Sequence, residues 1–218
     1  MGWDYLENIN TRLAKAFDLF DQGRIEEAEK IYIKCLQRLE ENSDSYVTAL
    51  HGLGYIKASQ AQYNEARQIY SEIRQITLDK GNIENEHIAV HQLGMVERMA
   101  KNYEKALELF SEEFKLLNRE KPGFSAGYAA NYYEKGIILL ELGEIDRAED
   151  SLLESLVHSK QSDDLISLGC SFRGLGELYQ VKQMEKKATL YFLEAIKAFE
   201  KANDKEAIKE VNLLMDRF

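Results

Sequence analysis

RGLGELYQVKQMEKKATLYFLEA, residues 173–195, is the stretch from which the fold can be read. It sets Gly176 twelve residues before Ala188, and Ala188 four residues before Phe192. The same layout recurs upstream in GRIEEAEKIYIKCL (23–36), AQYNEARQIYSEI (61–73), KNYEKALELFSEE (101–113) and GEIDRAEDSLLES (143–155). Each segment holds an alanine followed one helical turn later by a larger apolar residue: Ala28 and Tyr32, Ala66 and Tyr70, Ala106 and Phe110, Ala148 and Leu152, then Ala188 and Phe192. Successive alanines are 38, 40, 42 and 40 residues apart, too regular for chance and too long for one helix.

Twelve residues before each alanine stands a small residue: Ala16, Gly54, Gly94, Gly136 and Gly176. A glycine inside a helix costs about 1 kcal/mol, so four at equivalent positions require a packing reason. Close crossing of paired helices is that reason, because axes approach only where one side offers Gly or Ala. The larger side chain after each alanine then fills the space between neighbouring pairs.

On these residues the chain resembles the tetratricopeptide repeat, with its W-x2-L-G-x2-Y, then A-x3-F, then P pattern. Phe172, Leu175, Gly176, Tyr179, Ala188 and Phe192 occupy its slots, and the resemblance runs from about residue 5 to the end. The terminal proline is missing from every repeat. Repeats near 40 residues exceed the usual 34 or so, which lengthens the helices by about a turn and a half per pair. Long repeats of this kind are similar to the helical domains of bacterial peptide-pheromone receptors and of kinesin light chains.

The reading is therefore an all-α, right-handed α-solenoid of five helix-turn-helix pairs plus a C-terminal capping helix, as one superhelical domain over 1–218. Repeats span about 4–42, 43–80, 82–120, 122–160 and 163–202, with the cap at 204–218. First helices are predicted at about 4–21, 44–60, 83–100, 123–141 and 164–181, and second helices at about 24–41, 63–80, 103–119, 145–160 and 184–201. Asp204 is the expected N-cap of the closing helix, and Pro122 the expected start of a first helix.

Composition narrows the function classes. A net charge of −10 is the wrong sign for exchanging counterions with a phosphate backbone, so no nucleic-acid partner is expected. No window approaches eighteen consecutive apolar residues, the start carries Asp4 and Glu7 instead of an apolar run, and Leu6 spoils a myristoylation signal. No membrane association is expected, and the location is read as cytoplasmic. Cys35 and Cys170 stand far apart and are read as buried or half-buried thiols. No phosphate loop, nucleophile elbow, HExxH or EF-hand loop is present, so the chain reads as no enzyme and as needing no cofactor. His87 and His91 lie one helical turn apart, but no acidic or cysteine partner completes a metal site.

The resemblance implies that the first helices line a concave groove. Carried over position by position, the groove is His51, Tyr55, His91, Met95, Arg98, Tyr133, Arg173 and Glu177: aromatic and apolar through its middle, charged toward the C-terminal end. The apolar neighbours Phe17, Phe20, Ile137 and Leu140 read as inter-repeat core. The lysine–asparagine clamp of chaperone-tail readers is absent, its positions being Leu13, Phe17 and Gly52. Two functions fit: a module holding a peptide or partner-protein segment in the groove, or a self-assembly module in which another copy occupies the groove or an open end.

Overall fold

The computed structural model describes residues 8–82 and 85–216. These residues form eleven α-helices and no strand. The first helices of the pairs are α1 (Ile9–Asp21), α3 (Asp44–Ser59), α5 (Glu86–Met99), α7 (Ser125–Glu141) and α9 (Leu165–Val181). Their second helices are α2 (Ile25–Leu36), α4 (Tyr63–Asp79), α6 (Tyr103–Glu120), α8 (Ile145–Gln161) and α10 (Glu185–Ala202), and α11 (Lys205–Met215) closes the series. The chain divides into two compact units, residues up to Leu109 and residues from Phe110 on.

One turn joins the helices of every pair. Its key residue lies five before the repeat alanine and takes a left-handed backbone: Gly23 (φ 74°), Ala61 (59°), Lys101 (61°), Gly143 (76°) and Gln183 (57°). The next N–H reaches back five residues in each case, as from Arg24 to the Leu19 carbonyl (2.8 Å) and from Met184 to the Tyr179 carbonyl (2.9 Å). This closure satisfies carbonyls left open at a helix end and launches the second helix at a fixed angle. Only two of the five positions are glycine; the other three bear the strain of a side chain in that conformation.

The repeat alanines Ala28, Ala66, Ala106, Ala148 and Ala188 are all fully buried, and Tyr32, Tyr70, Phe110, Leu152 and Phe192 nearly so. Burying one such large side chain stabilises by about 1.5–3 kcal/mol. The helical glycines receive these side chains. A Cβ on Gly54 would lie 2.8 Å from Tyr70 Cζ, one on Gly136 2.6 Å from Leu152 Cγ, and one on Gly176 2.5 Å from Phe192 Cδ1. In the first unit the core runs from Leu13 and Ala16 through Tyr32 to Ile56; in the second it runs from Tyr133 through Leu152, Leu175 and Phe192 to Val211.

Two boundaries differ from the expectation. α2 stops at Leu36 because the N–H groups of Arg38 and Leu39 both turn back to the Cys35 carbonyl, returning Leu39 to the core. Pro122 lies in the exposed turn before α7, which begins at Ser125. The expected starts at residues 4 and 83 fall outside the described residues. Asp204 does cap α11, accepting from the Ala207 N–H at 2.9 Å. Cys35 is buried and Cys170 half-buried, its thiol pushed up to about 11 by burial. No helix among the described residues is long and apolar enough to cross a membrane.

Candidate binding pocket

The first unit contains an open pocket of about 720 Å³. α1 supplies one wall with Leu13, Phe17 and Phe20, and α3 supplies the other with Thr48, His51 and Tyr55. Tyr32 of α2 and Tyr70 of α4 reach in from behind and form a buried floor, and Gln92 of α5 closes one side.

The aromatic groups are held by each other. Phe20 and Tyr55 meet edge to face, ring centres 5.2 Å apart and planes at 79°. His51 lies against Tyr70, ring centres 5.9 Å apart, and the Tyr70 hydroxyl donates to the His51 carbonyl at 3.4 Å. Burial lowers the His51 pKa, which keeps the imidazole neutral at pH 7, and burial raises that of Tyr70. The floor is therefore apolar and uncharged. Two large rings nevertheless face solvent above it: Phe17 is 60% exposed and Tyr55 48%. Folding leaves those surfaces uncovered, whereas most side chains of that size are buried.

The eight residues expected to line a groove fall into three groups. His51 and Tyr55 share the pocket. His91, Met95 and Arg98 are half-buried on α5, where Gln92 lines the pocket instead. Tyr133, Arg173 and Glu177 come together in the second unit, largely through their own interactions. Arg173 donates from Nη2 to the Tyr133 hydroxyl and from Nη1 to Glu210 Oε2 of α11 at 2.9 Å, while its Nε lies 3.7 Å from Glu177 Oε1. The guanidinium also stands 5.6 Å from the centre of the Tyr133 ring. These bonds form a polar ladder across α7, α9 and α11, and Tyr133 is buried within it.

Sequence reasoning missed Phe17, assigned to the core but standing in the open; Phe20 packs on the core as read and also lines the pocket. Ile137 and Leu140 are core, as expected. The legible signal for the pocket was Leu13, Phe17 and Gly52 at the positions of the missing clamp. Apolar and small residues there open a hydrophobic recess.

A tetratricopeptide repeat sequence profile matches residues 7–79 and 86–161. The chain belongs to the tetratricopeptide repeat family. It is 25% identical over 203 residues to a TPR repeat-containing protein of Methanocaldococcus jannaschii, covering 91% of this chain and 32% of the relative. The chain thus spans about a third of that relative's length. Among solved structures, the nearly identical TPR-like repeats of a protein assigned as a kinesin light chain in Podosopora anserina superpose with a TM-score of 0.63 at 15% identity, over 89% of this chain and 96% of that one. The apo form of RapI gives a TM-score of 0.64 at 17% identity, over 96% of this chain and 58% of that one. At these identities the likeness shows the fold, an all-α stack of tetratricopeptide helix pairs.

Proposed function

We propose that this chain is a non-enzymatic binding module that holds a segment of a partner polypeptide in the pocket between α1 and α3. The tetratricopeptide fold supports protein–protein interaction in general. The specific support is the pair of exposed rings, Phe17 and Tyr55, above the buried floor of Tyr32 and Tyr70. An aromatic-lined recess with a few polar groups at its edge, here Asn10, Thr48 and Gln92, suits an anchoring side chain of an incoming peptide. His51 and Tyr55 are contact residues in this reading, and the ladder of Tyr133, Arg173 and Glu177 is a scaffold that fixes α11.

Affinity capture of partners from the native cytoplasm tests the proposal. Phe17→Ala and Tyr55→Ala remove exposed rings, so helix content and stability should stay near wild type. Partner capture should fall about thirtyfold in affinity, the usual cost of truncating a central anchor. Capture unaffected by both changes would place recognition elsewhere. Sedimentation showing a dimer dispersed by the same changes would instead assign the pocket to a second copy of the chain.

A further inference from the structure

The charges around the pocket select among possible occupants. Its lining contains two carboxylates, Asp18 and Asp21, and no lysine or arginine. Both lie in the last turn of α1, which contains no basic residue. A helix C-terminus already carries partial negative charge, so acidic side chains there are placed against the local field. Neither carboxylate forms an ion pair with another described residue. Lys15, one turn before Asp18, forms no ion pair with either and adds only a minor part to the lowering of the Glu27 carboxyl. Two exposed negative groups that form no ion pair with another described residue thus flank an uncharged aromatic recess lined by no basic residue, on a chain of net charge −10.

From this charge complementarity we infer that the pocket's occupant is a basic peptide segment, one large apolar side chain seated between Phe17 and Tyr55 with a neighbouring lysine or arginine on Asp18 and Asp21. The inference rests on the pocket reading above and adds the chemical class of the partner. A cation at the end of α1 relieves a repulsion present in the free protein, and an anchor buried beside it strengthens the attraction by excluding water. An acidic segment would meet only like charge.

Fluorescence anisotropy with short labelled peptides tests it. Three peptides share a central phenylalanine with lysine, serine or glutamate flanks, and a fourth has lysine flanks and a central alanine. The lysine-flanked phenylalanine peptide should bind about tenfold or more tighter than the glutamate-flanked one at low salt, a preference mostly lost at about 0.5 M salt. Asp18→Asn combined with Asp21→Asn should weaken it about tenfold and leave the serine-flanked peptide unchanged. Tyr55→Ala should weaken every phenylalanine peptide.

Equal binding of all three phenylalanine peptides, still sensitive to Tyr55→Ala, would overturn the basic occupant and leave the pocket reading standing. Indifference of all peptides to Tyr55→Ala would overturn the pocket reading itself. Equal binding of the two lysine-flanked peptides would reduce the effect to general charge attraction and defeat the inference, as would no binding by any peptide.

Discussion

Tyr32 of α2 occupies the space that a side chain on Gly52 of α3 would need: a Cβ at Gly52 would stand 2.3 Å from Tyr32 Cζ, far inside van der Waals contact. Gly52 lies two residues before the repeat glycine Gly54, which in turn receives Tyr70. Two tyrosines from successive second helices thus meet α3 at glycines two residues apart, and their rings are the floor of the pocket. Gly174 stands in the same relation to Leu152 in the second unit, where a Cβ would approach Leu152 Cδ2 to 2.7 Å.

Gly52→Ala should therefore behave unlike an ordinary helix substitution. At a free helical site the change would stabilise by nearly 1 kcal/mol. Here overpacking should reverse the sign and cost about 1–3 kcal/mol, because Tyr32 is 4% exposed and belongs to the buried core of the first unit. Urea denaturation checks this. A stabilised Gly52→Ala protein would show that Tyr32 moves freely.

The five equivalent turns make a second test. Ala61 and Lys101 hold left-handed backbone at exposed positions, where a β-carbon costs energy and contributes no packing. Ala61→Gly and Lys101→Gly should each stabilise by about 0.5–1 kcal/mol, since relief of strain exceeds the added entropy of the unfolded chain. Gly23→Ala, the reverse change at the corresponding turn, should destabilise by a similar amount. Thermal melts of the three variants in parallel give the answer.

His51 links the pocket to pH. Its pKa is lowered from 6.5 by burial, so the unfolded chain binds the imidazole proton more tightly than the folded one. Stability is unaffected by this group above pH 6.5 and is lost as pH falls through the window just below it. Glu29 and Glu97, held below their usual 4.5 by hydrogen bonds from Lys57 and Arg67, act only at lower pH. Wild type should therefore lose more stability than His51→Gln between about pH 7.5 and about pH 5.5 in urea titrations. Equal losses would mean that His51 protonates freely in the folded protein.

The sequence by itself determined the helix pairs. Ala28, Ala66, Ala106, Ala148 and Ala188 mark the buried positions, and Gly54, Gly136 and Gly176 mark the crossings, because close packing tolerates only small residues and leaves that requirement visible at a fixed spacing. The large side chains after the alanines, read as filling the space between pairs, are found also on the glycine of their own pair, as Tyr70 is on Gly54. The left-handed turns were legible only at Gly23 and Gly143, since Ala61, Lys101 and Gln183 do not advertise a positive φ. Tertiary structure alone decided which groove residues remain open. Phe17 and Ile137 hold the same position in their repeats, one after the small residue, yet Phe17 is 60% exposed and Ile137 7%. The difference lies in neighbours distant in sequence: Ile137 joins a core with Leu175, Leu178 and Phe192 of later helices, while Phe17 is left beside the open pocket. A repeat pattern records what each unit must bury against its own pair, and contacts between pairs decide what is left for a partner.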